Sequence, residues 1–238
     1  MPKVHNLKDS EKHFTVRNKS NGKAEVIIYG SIGASWFEEG ITAKAVSDEL
    51  KKLDDSVKDI TVRINSLGGD VFEGITIYNR LKQHKAKVTV FVDGIAASIA
   101  SIIALSGDEV IMSEGSLLMI HLPWTYTAGN RKDLEDTIDR LADVEQQLLA
   151  IYSKKTKLDR IELKSMLEKE TWMDASQAID LGFADKTDSQ AIPIAASALK
   201  NAVWLRKPSD KIRTTTAEAK AKLTELKSKI EGVLARKK

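Results

Sequence analysis

Apolar positions along the chain fall into short runs that switch between two spacings. Residues 1–23 are mostly polar, with edge-strand character at His13 to Arg17. Ala24 to Tyr29 (AEVIIY) is a short apolar strand that ends in GSIG. From Thr42 to Leu53 the apolar residues Ala45, Val46, Leu50 and Leu53 return at helical spacing. Ile60 to Ile64 alternates as a strand does and ends in the turn Asn65-Ser66-Leu67-Gly68-Gly69, after which Val71 to His84 predicts a helix. Val88 to Val92 predicts a further strand, followed by Asp93-Gly94 and an Ala-rich helix from Ser98. Two more short strands are predicted over Glu109 to Met112 and Leu117 to Ile120. Strand and helix alternate with short, glycine-marked joints, which predicts an α/β architecture with right-handed crossovers.

The second half is more helical. Asp133 to Tyr152 is long and charged, with a stripe at Leu134, Ile138, Leu141, Leu148 and Ile151. Residues 161–185 predict a helix, a WMDA turn, a second short helix and a closing strand near Phe183. Beyond Ser189 the composition changes: an Ala/Ile-rich stretch, then Pro208 and three consecutive threonines, then helical spacing at Leu223, Leu226, Ile230 and Leu234. The predicted organisation is an N-terminal segment (1–23), a main domain (24–189) and a basic linker with a helical tail (190–238). No internal repeat is visible.

Charge sharpens that division. The whole chain carries 37 Lys+Arg against 34 Asp+Glu, a net +3. Arg206 to Lys238 holds eleven basic and four acidic residues, +7, so the remainder is −4. The tail is thus an appendage of opposite sign, and the small overall surplus gives no reason to expect nucleic-acid binding. There are no cysteines, which excludes disulfides, thiolate metal sites and a cysteine nucleophile. The four histidines (His5, His13, His84, His121) are too scattered to predict a metal site. The N-terminus lacks an apolar signal segment, and no apolar run is long enough for a bilayer, so a soluble, cytoplasmic protein is expected.

Three strand ends carry candidate chemistry. Gly68-Gly69 lets backbone N–H groups approach a ligand with no Cβ in the way, although an ordinary tight turn has the same sequence. In Gly94-Ile95-Ala96-Ala97-Ser98 a serine opens an apolar helix, where unpaired N–H groups favour developing negative charge beside its Oγ; a plain N-cap would look alike. In Leu117-Leu118-Met119-Ile120-His121 a histidine ends an apolar strand, a setting that suits a core residue and equally keeps an imidazole neutral, as a general base requires.

A strand-end Gly-Gly, a serine 29 residues later and a histidine 23 beyond it resemble the Clp protease proteolytic subunit. The likeness covers roughly residues 24–187. INSLGGDVFEGITIYNRL resembles the family's INSPGG segment, GIAASIAS its nucleophile segment, MIHLPW its base segment, and ETWMDASQAIDLGFAD its acid segment. The resemblance implies a Clp/crotonase-type fold of repeated ββα units with a helical handle and, here, a C-terminal helical extension. It implies Ser98 as nucleophile, His121 as base, and the N–H groups of Gly69 and Ile99 as oxyanion hole. The family's aspartate position falls on Glu170, with Asp174 the alternative acid and Glu168 a poorer one. Leu67 stands where the family has proline, and the 131–157 helix stands where its ring-forming members insert the handle.

The expected activity is serine-type endopeptidase, needing no metal or organic cofactor, from a homo-oligomeric ring acting on protein substrates. The helical extension resembles the Clp-related head maturation proteases of tailed phages, which would make capsid or scaffold protein the substrate and the host cytoplasm or prohead the location. Three other readings are a housekeeping Clp subunit working with an AAA+ unfoldase, a crotonase-like acyl-CoA enzyme, and an inactive structural ring subunit. A Ser–Lys dyad ranks low, since no lysine occupies a matching apolar position.

Overall fold

The computed structural model describes residues 14–19, 21–33, 40–53 and 55–188. The expected tail, 190–238, lies outside them. In order, the elements are β1 (Phe14–Lys19), β2 (Lys23–Tyr29), α1 (Ala43–Leu50), β3 (Asp59–Ser66), α2 (Val71–Lys82), β4 (Lys87–Ala97) and α3 (Ile99–Ala104). They continue as β5 (Glu109–Ser113), β6 (Leu117–Ile120), α4 (Arg131–Lys155), α5 (Arg160–Glu168), β7 (Thr171–Met173), α6 (Ala175–Leu181) and β8 (Lys186–Asp188). This is the α/β fold that the alternating spacings predict.

The main path of the sheet runs β1-β2-β3-β4-β5-β8. β1 is the antiparallel edge, in the place of the expected edge strand; β2, β3, β4, β5 and β8 pair in parallel. Alternation sorts the strand residues onto two faces. Val26, Ile28, Val62, Ile64, Val90 and Val92 are fully buried, while the residues between them are half-exposed. Helices start where side chains replace missing partners for the first N–H groups. Thr42 accepts from the Ala45 N–H, and Asp70 accepts from those of Phe72 and Glu73, each cap contributing about 1 kcal/mol.

Two expectations change. The strand beginning near Val88 does not stop at Val92 but runs to Ala97. It serves two partners: Thr89 to Val92 pair with β5, and Ile95 to Ala97 pair with β6. The hand-over has a visible cause. Between the pairs Ile64↔Val92 and Ser66↔Ala96, β3 advances two residues and β4 four, so Asp93 to Ile95 bulge and the strand is re-aimed. The helix therefore begins at Ile99, with Ser98 as the joint. The WMDA turn also differs: Trp172 and Met173 lie in β7, which pairs antiparallel with β6, and the closing strand comes after Phe183, at β8. Around the β4–β6 contact, Ile95, Ala97 and Met119 form a small buried cluster of their own, with Leu117 and Trp172 packed on it.

Helix α4 divides in two. Its last turns bury Leu148, Leu149 and Tyr152, but Leu134 and Ile138 near its start are 42% and 65% exposed. At 1.5 Å per residue the helix is about 37 Å long, and its first half leaves its apolar stripe in solvent.

Candidate active site

Ser98 lies between Ala97 and Ile99, whose side chains are 1% and 2% exposed, and is itself half-exposed. Its backbone has φ 55° and ψ −128°, a conformation that a residue with a Cβ rarely adopts. Two backbone bonds hold it there: its N–H donates to Met119 O (2.9 Å), and its carbonyl accepts from the Ser101 N–H (3.0 Å). Although it occupies the N-cap position of α3, its hydroxyl makes no capping bond. Instead Oγ lies 2.8 Å from Nε2 of His121. The plain N-cap alternative therefore does not describe where this hydroxyl goes.

Strand register brings the histidine there. Ala97 pairs with Met119 across the parallel β4–β6 contact, so the residues leaving both strands emerge side by side. On the other edge of β6 the antiparallel register is Leu118↔Met173, Met119↔Trp172, Ile120↔Thr171. Continuing it by one residue sets Glu170 across from His121. Asp174, by the same register, falls at the opposite end of β6, where it is exposed and caps α6 in a reciprocal box with Gln177. Glu168 is exposed in the last turn of α5.

Glu170 follows the Lys169 C-cap of α5 and has φ 52°. Its N–H donates to Leu167 O (3.2 Å). This is the left-handed position just past a helix end where glycine is usual. A glutamate there carries a conformational cost of about 1 kcal/mol and gains a carboxylate at a defined place. Trp172 Nε1 lies 3.4 Å from Glu170 Oε1, a long contact consistent with light steering of the side chain. Burial of the His121 ring pulls its pKa below the ordinary 6.5, and the nearby Glu170 charge acts in the opposite direction. The net direction is down, which leaves the imidazole neutral and able to accept a proton near pH 7.

The glycine turn closes the site from the other side. Ile32 bridges to Gly69: the Ile32 N–H donates to Gly68 O (2.9 Å), and the Asp70 N–H donates to Ile32 O (2.9 Å). That pairing consumes the groups on either side of Gly69 and leaves its own N–H facing away from Ile32. Both glycines are obligatory. A Cβ on Gly68 (φ 94°) would lie 2.7 Å from Ala97 O and 2.8 Å from Ser98 Cβ, and one on Gly69 (φ 148°) would lie 2.0 Å from Ile32 O. Buried Ser66 braces the turn, donating to Gly30 O (2.6 Å) and accepting from the Gly68 N–H (3.1 Å). Leu67, where the resemblance implies proline, is 41% exposed, and the turn keeps its shape through these bonds. Ile99 is the first residue of α3, so its N–H has no partner within the helix.

The residues placed together are thus Ser98, His121 and Glu170, beside the turn that carries Gly68 and Gly69. The sequence gives no role to Ile32 or Tyr152, and none to Ser66 beyond its place in the INSLGG segment, since each acts through a backbone bond or a buried hydroxyl that only the folded chain creates. Beside the site a groove of about 800 Å³ runs from Gly69 and Phe72 past Pro123 and Trp124 to Tyr126 and the exposed half of α4. The Trp124 and Tyr126 rings meet edge to face at 5.2 Å. No group of His, Asp and Glu able to hold a metal ion occurs among the described residues, and none of their helices is long and apolar enough to cross a membrane.

Residues 9–190 match the family model of Clp protease. Over 159 residues the chain is 30% identical to the ATP-dependent Clp protease proteolytic subunit 1 of Chlamydia pneumoniae, an alignment that covers 63% of this chain and 83% of that protein. It is 30% identical over 149 residues to the ATP-dependent Clp protease proteolytic subunit of Bacteroides thetaiotaomicron, covering 61% and 68% respectively. The corresponding subunit 1 of Protochlamydia amoebophila is 29% identical over 160 residues, covering 63% and 78%. The match to a peptidase family, with a serine hydroxyl against an imidazole, sets aside the acyl-CoA reading. This chain belongs to the Clp protease family and is a serine-type peptidase.

Proposed function

We propose that Ser98, His121 and Glu170 are the catalytic triad of this peptidase and that the Gly69 and Ile99 N–H groups form its oxyanion hole. The observation that carries the reading is the 2.8 Å contact between Ser98 Oγ and His121 Nε2, made by a hydroxyl that declines the capping bond open to it. His121 takes the Ser98 proton as Oγ attacks the scissile carbonyl. The oxygen of the tetrahedral intermediate draws on the two N–H groups. His121 then gives its proton to the leaving amine, and water, activated by the same imidazole, releases the acyl group from Ser98. Glu170 holds the ring in the tautomer that presents Nε2 as acceptor and offsets the positive charge when the ring is protonated. The groove beyond Gly69 and Trp124 is the path for an extended polypeptide.

The finer reading is a ring-forming protease of the phage head maturation kind, cutting scaffold or capsid protein without an unfoldase. What supports it is the basic stretch beyond the matched residues, +7 between Arg206 and Lys238. A housekeeping role beside an AAA+ ATPase is the second reading, favoured by relatives named as ATP-dependent. The two part on substrate. The full-length protein, without nucleotide, is incubated with a short unstructured peptide, with a phage scaffold protein and with a phage capsid protein. The phage reading predicts cleavage of all three. Cleavage of the peptide alone, extended to folded proteins only on adding an ATPase, would transfer the assignment to the housekeeping role.

A further inference from the structure

Tyr152 is a buried titratable group that the triad does not use. It sits in the last turns of α4, 1% exposed, its ring packed against Phe183 at 5.8 Å between centroids. Its hydroxyl lies 2.7 Å from Oγ of Ser101, which is itself completely buried in α3. Ser101 Oγ in turn lies 2.6 Å from the carbonyl oxygen of Ser98.

Counting protons fixes the direction of this chain. A carbonyl oxygen can only accept, so the Ser101 hydroxyl proton must go to Ser98 O. A serine has one such proton, and its oxygen can therefore meet Tyr152 only as acceptor. The relay runs Tyr152 O–H to Ser101 Oγ, and Ser101 O–H to Ser98 C=O. Burial raises the Tyr152 pKa well above the ordinary tyrosine range, so the donor stays protonated at every pH where the enzyme works.

The carbonyl at the end of the relay belongs to the peptide that joins Ser98 to Ile99. That peptide is planar and trans, so its C=O and its N–H point in opposite directions. Anchoring Ser98 O towards the buried side, by the Ser101 N–H and hydroxyl together, fixes the opposite direction of the Ile99 N–H. Donation to a carbonyl also polarises its amide, which makes the N–H at the other end a stronger donor. We propose that Ser101 and Tyr152 are positioning residues for the oxyanion hole: their buried relay aims and polarises the Ile99 N–H, and it holds the unusual backbone of Ser98. The proposal rests on the assignment of Ser98 as nucleophile and of the Ile99 N–H as an oxyanion donor.

The test uses Ser101→Ala, Tyr152→Phe and the double variant of the full-length enzyme. Each is assayed on a fluorogenic peptide, against a peptidyl trifluoromethyl ketone, and against the product peptide. The ketone adds to the nucleophile and places an anionic oxygen in the hole, whereas the product peptide does not. Ser101→Ala should lower kcat about tenfold, part of what losing a whole oxyanion donor costs, with KM nearly unchanged. Affinity for the ketone should fall by the same factor, and affinity for the product peptide should hold. Tyr152→Phe keeps the ring and leaves Ser101 free to donate, so the same changes should appear at about threefold. The double variant should match Ser101→Ala in kcat while melting at a higher temperature, because no tyrosine hydroxyl is left buried without a partner. That split between rate and stability is not expected of a merely structural pair. Unchanged kcat and ketone affinity in folded Ser101→Ala would overturn the proposal, as would losses that track melting temperature across the three variants. If Ser101→Ala does not fold, Tyr152→Phe decides by the same readouts. Failure of the underlying assignment looks different: the wild-type enzyme would then form no ketone adduct at Ser98.

Discussion

Ser98 and Glu170 are two of the three non-glycine residues with positive φ among the described residues, at 55° and 52°, and both lie at the site. They are held in contrasting ways. Ser98 is fixed from every side: its N–H and carbonyl are both bonded, its neighbours are buried, and Gly68 packs close against its turn. Glu170 is half-exposed just past the end of a nine-residue helix, where its N–H donates to Leu167 O (3.2 Å). Strain at the nucleophile is locked in by the sheet, whereas strain at the acid is a local cost of replacing the glycine usual at a helix end. The nucleophile should therefore be chemically indispensable yet structurally replaceable by a small residue, and the acid should be a place where stability and activity trade against each other.

The largest effect tests the first half of that contrast. Ser98→Ala keeps the Cβ and the backbone bonds, so the fold and melting temperature should stay the same while peptide hydrolysis falls roughly 10⁶-fold, as in other serine peptidases. Activity within tenfold of wild type would remove Ser98 from the mechanism.

Next comes the acid. Glu170→Gln should slow hydrolysis by about 10²- to 10⁴-fold, and its pH profile carries the sign. His121 must be neutral to act, so kcat/KM rises as pH climbs through the His121 pKa. Burial sets that pKa below 6.5, and the Glu170 charge pushes it up. Removing the charge should move the acidic limb to still lower pH while the plateau drops. A limb that shifts upward, or stays in place, would show that Glu170 does not act on the ring.

Glu170→Gly separates activity from stability. Relief of the positive φ should stabilise the fold by about 1 kcal/mol, raising the melting temperature by a few degrees, while activity falls as far as in Glu170→Gln. Equal or lower stability would mean that the carboxylate contributes more to folding than the backbone costs. The smallest effect falls on the rival acid. Asp174→Ala should lower stability by about 1 kcal/mol, the worth of a helix cap, and leave kcat within about twofold of wild type in the same assay. A large loss of activity would hand the role to Asp174.

Much of the fold was legible because it depends on spacing alone. Period-two runs such as ITVRI became β3, and helical runs after Asp70 and Asn130 became α2 and α4. What spacing does not encode is pairing. Nothing in GIAAS announces that β4 bulges at Asp93 to Ile95 and continues with a second partner, because that depends on β6 arriving from beyond α3. The same holds at the site. Gly69, Ser98 and His121 were visible as strand-end residues, and their order suggested a family. The choice between Glu170 and Asp174 was open in the sequence, since both flank the same tryptophan. The β6–β7 register separates them, placing one across from His121 and the other at the far end of the strand. Ser101 looked like one more small residue in an apolar helix, and its link to Tyr152, 51 residues away, is a product of packing.

The central claim is that Ser98 Oγ is activated by His121, and covalent labelling tests it most directly. The full-length protein is treated with a fluorophosphonate at a series of pH values, and the modified residue is located by peptide mass spectrometry. A single label is expected on Ser98, forming at a rate that rises with pH through the depressed His121 pKa and collapses in His121→Ala. Labelling at another serine, or labelling of Ser98 that is indifferent to His121, would contradict the account.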